Sequence, residues 1–441
     1  MVTSVIVDLT VYLPSVLLAP PYLAHLALRR GMAATLSLLA AFASLLPSLI
    51  LPVFAVACCP VLLIFVVLHI PLPACIADRK KLYITELILR VTGEYGGELV
   101  EMLAGPEWRN WYLRAVMAAG FYLPIPNTGE VEYSWTVLGG VETRVLRPAD
   151  PEERRDRTIV YIHGGGWATM RPQYYDHALA WLVLRLGCTI FAVDYRLAPE
   201  HPYPAAVEDC EAAVMALSKR KLSEYGLTPG HICVMGDSAG GNLSAVISRR
   251  LRKQKLIKCQ VLIYPVTTVF GFSLPSYREY FSECAGSALL NPFSMARWIL
   301  FYLDIDANSA NVQKLIAAEH VPSRGASKVL DGILNRYERV LDKYFPDERL
   351  SKQFLSRGLD PDVSPLLAPD LDGCPPTMVL TAGVDVLRDE GRAYAKRLSA
   401  AGVEVEDRHY PNAYHGILNM PYSATRKQMK RDIAEYLDKN L

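Results

Sequence analysis

The stretch GDSAGGN at residues 236–242 decides how the rest of the sequence is interpreted. It follows an apolar, strand-like run, HICVM at 231–235, and it opens a helical run, LSAVISRRLRK at 243–253. Glycines lie two positions before and two positions after Ser238, so the chain can turn sharply and hold the serine Oγ above a sheet. The alternative is a glycine-rich turn of a nucleotide-binding sheet, but the G-x-G-x-x-G pattern of such sheets is absent. We therefore predict that Ser238 is a nucleophile.

A glycine loop, HGGGW at residues 163–167, is the second motif with a chemical implication. It ends the apolar run TIVYI at 158–162, and its three successive glycines allow backbone N–H groups to turn toward one point. A tetrahedral oxyanion needs such donors fixed in advance. We predict that the amides of Gly165 and Gly166 converge with that of Ala239 to form an oxyanion hole. A flexible turn without a binding role is the alternative.

A nucleophilic serine also needs a base and a group that orients the base. Asp385 follows the strand-like run 376–382, and His415 lies in a loop after the last such run, 403–410. The order serine, aspartate, histidine is the one found when the serine lies on a strand–helix turn. We predict that Asp385 is the acid and His415 the base. Two neighbouring carboxylates are interpreted as favourable charges in the first turn of a helix: Asp389 and Glu390.

The sequence around these motifs alternates strand-like and helical segments. This alternation predicts an α/β fold, with a mostly parallel sheet and helices on both faces. Two helical blocks, at about 78–123 and 267–360, interrupt the pattern and are predicted to be lid elements above the site. A small helical subdomain with its own aromatic core is an equally compatible interpretation. Strands are predicted at 131–136, 141–146, 158–163, 189–195, 231–236, 259–264, 376–382 and 403–410.

Charge and residue spacing exclude several classes of function. The 441 residues contain 46 Lys+Arg and 45 Asp+Glu, a net charge of +1. Nucleic acid is therefore not an expected partner, because phosphate binding needs a basic surface. The nine cysteines and nine histidines show no spacing typical of metal ligands. We predict no metal and no cofactor.

The N-terminal part differs from the rest in composition. Residues 31–77 contain no Lys, Arg, Asp or Glu, and this run is long enough to cross a bilayer twice. Prolines near its middle favour a helical hairpin. We predict an anchor at 1–77 with one to three spans and a catalytic domain at 78–441; a buried soluble core is the alternative. Basic residues flank the run at 29–30 and 79–81, so the positive-inside rule predicts a catalytic domain on the cytosolic side.

Taken together, four motifs resemble those of the hormone-sensitive-lipase family of α/β-hydrolases, in particular the arylacetamide deacetylase and neutral cholesterol ester hydrolase type. The resemblance covers roughly residues 100–440 and implies the α/β-hydrolase fold with a helical lid. It also implies the site roles given above, with Ser238 as nucleophile. Animal members of this type have one N-terminal anchor and a lumenal domain, from which this N-terminus departs. The four motifs are 163–167, DYRLAPEHPYPA at 194–205, 236–242 and DVLRDE at 385–390.

The expected function is that of a membrane-anchored serine esterase. Its substrate would be a lipophilic ester, such as a steryl ester, an acylglycerol or an acetylated lipid. Amide hydrolysis is a close alternative, implied by the deacetylase resemblance. A hormone receptor or a scaffold on the same fold is disfavoured, because receptors of this kind lack the catalytic histidine and His415 is present. We expect a location at the endoplasmic reticulum or a lipid droplet; the sequence does not indicate an oligomeric state.

Overall fold

The chain forms one eight-stranded sheet flanked by helices. The structure is a computed structural model, and it describes residues 69–70, 72–76, 78–121, 129–217, 219–284, 290–321, 330–332, 346–420 and 423–441. The strands are β1 Val131–Leu138, β2 Val141–Pro148, β3 Thr158–Ile162, β4 Thr189–Val193, β5 Ile232–Asp237, β6 Ile257–Ile263, β7 Thr377–Val384 and β8 Val405–Tyr414. Their order in the sheet is β1-β2-β4-β3-β5-β6-β7-β8. β1 and β2 are antiparallel to their neighbours, and the ladder from β4 to β8 is parallel.

All eight predicted strands are present, with ends that differ by a few residues. The largest difference is in β8, which was predicted to end at residue 410 and continues to Tyr414. It continues because the β7–β8 ladder resumes after an irregularity, so that Val384 pairs with Tyr414. His415 therefore follows the end of the strand directly.

Helices cover both faces of the sheet. The helices are α1 Arg79–Leu89, α2 Gly96–Ala104, α3 Pro106–Phe121, α4 Asp176–Leu186, α5 Ala205–Ala216, α6 Lys219–Ser223, α7 Ala239–Arg250, α8 Pro275–Glu279, α9 Pro292–Tyr302, α10 Ser309–Ile316, α11 Glu348–Gly358, α12 Arg388–Ala400 and α13 Ala424–Asn440. The side chains of strand β3 alternate between the two faces: Val160 and Ile162 pack with α5 and α7, whereas Ile159 and Tyr161 pack with α4 and α13.

The two blocks predicted as lid elements are helical where the structure describes them. Helices α1, α2 and α3 form the first block, and a π-helical turn at Arg90–Tyr95 joins α1 to α2. The second block contains α8 to α11 and no strand among its described residues. Its apolar side chains belong to the same core cluster as those of α5 and α7, so it packs on one face of the sheet.

The end of the uncharged N-terminal run packs on the hydrolase. Ile70, Leu72 and Ile76 are buried in the core cluster that includes α4 and α13. The domain boundary predicted at residue 77 thus falls within a segment that contacts the folded domain. The remainder of the hairpin predicted at 31–77 lies outside the described residues. None of the helices in the described part of the chain is both long and apolar enough to cross a membrane.

Candidate active site

Ser238 lies on a strained turn between β5 and α7. Its φ is 55° and its ψ is −121°, a backbone conformation that L-residues rarely adopt. Two hydrogen bonds fix the turn: the Ser238 amide donates to Ile263 O at 2.9 Å, and its carbonyl accepts from Val266 N at 3.2 Å. A side chain at Gly240 would overlap the carbonyl of Ile162, so only glycine fits there. Strand β3 and the start of helix α7 can therefore approach each other closely.

Strand register brings Asp385 and His415 together. Val384 and Tyr414, the last residues of β7 and β8, are partners in the parallel ladder. Asp385 and His415 are the residues that directly follow them. The backbones are unusually close just before this point, because a Cβ on Gly383 would overlap the main chain of Pro411. The glycine permits the approach that places an acid and an imidazole side by side.

The three predicted side chains form one hydrogen-bonded chain. His415 Nδ1 lies 2.9 Å from Asp385 Oδ2, and His415 Nε2 lies 3.0 Å from Ser238 Oγ. The Asp385 side chain is completely buried, and its other oxygen accepts from Leu387 N at 2.9 Å. A buried carboxylate held in this way fixes the tautomer and orientation of the imidazole and stabilises the imidazolium. The arrangement can activate the serine for nucleophilic attack.

A buried carboxylate, Asp237, connects the glycine loop to the serine turn. Its Oδ1 accepts from Tyr161 OH at 2.7 Å and from Gly164 N at 2.9 Å. Its Oδ2 accepts from Tyr175 OH at 3.1 Å. Burial raises the pKa of Asp237 above its ordinary value, while these hydrogen bonds oppose the rise. The loop is therefore anchored at a fixed position beside Ser238.

The predicted oxyanion donors lie on this anchored loop and at the start of α7. Gly165 and Gly166 have φ values of +102° and +60°, which other residues adopt at a cost. Within the described part of the chain, the amides of Gly165, Gly166 and Ala239 donate to no protein acceptor. Free amides beside a nucleophile are what an oxyanion needs.

Helix α9 of the second helical block packs against the glycine loop. The indole of Trp298 lies so close to Gly166 that an added Cβ would be 2.6 Å from its Cγ. Trp167, the last residue of the loop motif, stacks on Tyr302 with ring centroids 4.3 Å apart and an interplanar angle of 7°. Two aromatic contacts from one helix thus restrict the loop that carries the amides.

The neighbouring acids have structural contacts in addition to their position at the start of α12. Asp389 accepts from Ser276 N at 2.9 Å, and Glu390 accepts from Thr267 N at 2.7 Å. Burial raises the pKa of Glu390 to about 8. Both carboxyl groups thus connect the helix that follows Asp385 to the second helical block, whereas the sequence indicated only a charge effect on the helix.

Sequence reasoning missed two residues that support the site. Asp237 had a usable signal, since a carboxylate at the end of an apolar strand must find donors when it is buried. Trp298 lies in a block predicted to be a lid element, but its contact with Gly166 had no signal, because that contact joins segments far apart in the sequence.

A small open pocket of about 50 Å³ is lined in part by Asp385 and His415. Part of its wall is apolar. The apolar residues come from the segment before α1 and from the stretch between α8 and α9 in the second helical block. The pocket provides space for a substrate group next to the imidazole. These apolar wall residues are Leu72, Pro73, Ile76, Cys284 and Leu290.

Comparison with known proteins places the chain in a family. A family model described as alpha/beta hydrolase fold matches residues 159–330 and 335–419. Arylacetamide deacetylase from Bos taurus is 29% identical over 85% of this chain and 96% of its own length. Neutral cholesterol ester hydrolase 1 from Rattus norvegicus is 32% identical over 79% of this chain and 89% of its own length.

Solved structures agree with these matches. A hyperthermophilic esterase from the archaeon Pyrobaculum calidifontis superposes with a TM-score of 0.56 at 28% identity, covering 84% of this chain and 98% of its own. The thermophilic carboxylesterase EstE1 from a metagenomic library gives a TM-score of 0.54 at 28% identity, covering 75% and 97%. The chain therefore belongs to the hormone-sensitive-lipase family of α/β-hydrolases and is a hydrolase of the carboxylesterase and lipase type.

Proposed function

We propose that this hydrolase is a membrane-anchored serine esterase that cleaves carboxylic esters of lipophilic compounds through an acyl-enzyme. The observation that carries the proposal is the hydrogen-bonded chain from Asp385 through His415 to Ser238, with distances of 2.9 and 3.0 Å. Steryl esters, acylglycerols and acetylated lipids are the substrate classes considered.

Acylation begins with attack of Ser238 Oγ on the ester carbonyl carbon. His415 Nε2 takes the hydroxyl proton as the new C–O bond forms, and Asp385 stabilises the resulting imidazolium. The negative charge that develops on the carbonyl oxygen is stabilised by hydrogen bonds from the amides of Gly165, Gly166 and Ala239. Removing one such donor typically lowers kcat by about 10²–10³-fold.

Collapse of the tetrahedral intermediate breaks the bond to the alcohol oxygen. His415 gives its proton to the departing alkoxide, which leaves as the alcohol and leaves an acyl group on Ser238. A water molecule then attacks the acyl carbon while His415 takes one of its protons. The second collapse releases the carboxylic acid and returns the proton to Ser238 Oγ.

Two observations support a lipophilic substrate. One similar protein is named neutral cholesterol ester hydrolase 1, and a cholesterol ester is almost entirely apolar. The pocket beside His415 is lined in part by Leu72, Ile76 and Leu290, and apolar side chains favour apolar ligand groups. Leu72 and Ile76 belong to the end of the uncharged run, so the pocket adjoins the part of the chain proposed to anchor the enzyme.

Amide hydrolysis is the second candidate activity. It is favoured by one observation, the similarity to arylacetamide deacetylase over 96% of that protein's length. The same nucleophile, base and oxyanion donors serve both reactions. The leaving group of an amide is an amine, however, and its nitrogen must receive the proton from His415 before the C–N bond is fully broken.

The activity is tested by turnover of a substrate panel by the purified full-length protein. The panel contains p-nitrophenyl esters of short and long acyl chains, steryl acetates and matched anilides, with Ser238→Ala as the inactive control. We expect hydrolysis of the esters, with a preference for lipophilic ones. Faster turnover of the anilides would favour the deacetylase activity, and turnover of neither by the folded protein would refute the proposal.

The anchor and its orientation are part of the proposal and rest on the uncharged run at 31–77 and on the basic residues at 29–30 and 79–81. The catalytic domain would face the cytosol, at the endoplasmic reticulum or a lipid droplet. Protease protection on intact microsomes tests the orientation. A C-terminus that becomes accessible only after detergent is added would place the domain in the lumen.

A further inference from the structure

The first helical block presents an unusual amount of apolar surface to solvent. Eight of the twelve exposed large hydrophobic side chains in the described part of the chain lie between residues 84 and 111. Single exposed apolar residues are common, but such a concentration typically marks an interaction surface. We use the term outer face for six of these residues: Ile88, Val91, Met102, Leu103, Trp108 and Trp111.

The outer face follows helical spacing, so it is a property of the folded helices. Ile88 and Val91 are three residues apart at the junction of α1 with the π-helical turn, and Trp108 and Trp111 are three apart on α3. The two indoles touch edge to face, with centroids 6.0 Å apart. Met102 is 72% exposed and adjoins an equally exposed Leu103.

The opposite side of the same helices is fixed to the hydrolase by polar contacts. Arg109 is buried and lies 3.3 Å from Glu101, which also pairs with Arg297 of α9 at 2.9 Å. Asn110 and Arg114 both donate to the carbonyl of Ala168, at 3.2 and 2.7 Å. The block is therefore a rigid support that holds its apolar side away from the enzyme body.

We infer that the outer face docks onto a phospholipid bilayer surface; the inference rests on the proposed lipophilic substrate and membrane anchor. The uncharged run ends at residue 77 with its last described residues packed on the hydrolase, and α1 begins at Arg79, so the anchor would hold this block close to the membrane surface. Tryptophan is enriched at the interface between lipid and water, where its apolar ring and polar N–H are both accommodated. The basic residues 79–81 at the start of α1 suit the phosphate headgroups.

This docking would orient the active site relative to the lipid. Helix α3 carries Trp108 and Trp111 on its outer side and contacts Ala168, two residues after Gly166, on its inner side. The segment before α1 lines the pocket beside His415. A block that rests on the bilayer thus holds both the glycine loop and the pocket wall near the surface from which an apolar ester would enter.

The location of the outer face is tested by fluorescence quenching in vesicles. The full-length chain is reconstituted in phosphatidylcholine vesicles with and without brominated acyl chains, which quench nearby indoles. Residues 1–77 contain no tryptophan, so the six indoles report only on the folded domain. We expect quenching that is largely lost in Trp108→Phe/Trp111→Phe, which keeps the surface apolar. Trp135→Phe is the matched control, since Trp135 is also exposed but lies on β1.

A second measurement asks whether docking matters for turnover. In Trp108→Asp/Trp111→Asp, hydrolysis of a vesicle-embedded ester should fall at least about tenfold, since one large apolar side chain contributes that much to partitioning. Hydrolysis of dissolved p-nitrophenyl acetate should not change. If the wild-type protein did not hydrolyse p-nitrophenyl acetate at all, the proposed esterase activity would be refuted, but the docking of the outer face would not.

Two results would overturn the inference. Quenching that is unaffected by Trp108→Phe/Trp111→Phe would show that the indoles are remote from lipid. Absence of quenching together with a concentration-dependent dimer in sedimentation would assign the outer face to a second copy of this chain.

Discussion

Adding a single methyl group at Gly166 should damage catalysis through its contact with Trp298. The new Cβ in Gly166→Ala would lie 2.6 Å from Trp298 Cγ, well inside van der Waals contact, and the residue keeps a φ of +60°. The left-handed backbone alone costs an alanine about 1–2 kcal/mol. The Asp237 anchor holds the loop at Gly164, two residues before Gly166, whereas the buried residues of α9 are packed in the core. We therefore expect the backbone at Gly166 rather than α9 to move.

Displacement of the loop removes an oxyanion donor, so we expect kcat for p-nitrophenyl acetate to fall by about 10²–10³-fold with KM nearly unchanged. The matched variant is Gly166→Ala/Trp298→Ala, in which the indole is absent. Its kcat should return to within about tenfold of that of Trp298→Ala, since only the backbone cost remains. Thermal unfolding midpoints of all three variants separate loss of the donor from loss of the fold.

Two results would refute this reasoning. A kcat of Gly166→Ala within about threefold of the wild type would mean that the amide of Gly166 is not a donor in the transition state. A double variant as slow as Gly166→Ala would mean that the indole is not what excludes the methyl group.

Three further predictions concern groups around the serine. Asp385→Asn should lower kcat by about 10⁴-fold while the unfolding midpoint stays nearly constant, because the amide favours the wrong tautomer of His415; steady-state kinetics over a pH range check this. Tyr161→Phe removes one donor to the buried carboxylate of Asp237 and should lower the free energy of unfolding by about 1–3 kcal/mol, measured by urea denaturation. Burial raises the pKa of Glu390 to about 8, so the folded chain holds a proton that the unfolded chain releases above its ordinary pKa of 4.5. The free energy of unfolding should therefore decline as pH rises from about 4.5 to about 8. In Glu390→Gln the free energy of unfolding should decline less over the same pH range; equal pH slopes in the two proteins would contradict the assignment.

Much of the site geometry could be predicted because it depends on local sequence and on strand ends. A glycine pattern around Ser238 specifies a sharp turn, and parallel strands bring their carboxyl ends to one edge of the sheet. The residues that follow β7 and β8 must then lie near the serine, which is why Asp385 and His415 could be named from order alone.

The remaining features depend on contacts between distant segments. The close packing of α9 on the glycine loop brings Trp298 against Gly166, and no periodic pattern in either segment predicts this contact. Likewise, the sequence shows that Glu390 begins a helix, but its burial against the amide of Thr267 depends on how the second helical block returns to the sheet. The packing of Ile76 on the hydrolase was missed because an uncharged run favours a membrane segment at every position along it.

The most direct test of the central claim is covalent labelling of the nucleophile. The folded full-length protein is treated with a fluorophosphonate, which reacts with a serine only when a neighbouring base activates it. Peptide mass spectrometry should find a single adduct on Ser238, and labelling should be lost in His415→Ala, which keeps the serine but removes the base. An adduct on another residue, or undiminished labelling of Ser238 in the absence of His415, would contradict the assignment of this hydrogen-bonded chain as the catalytic machinery.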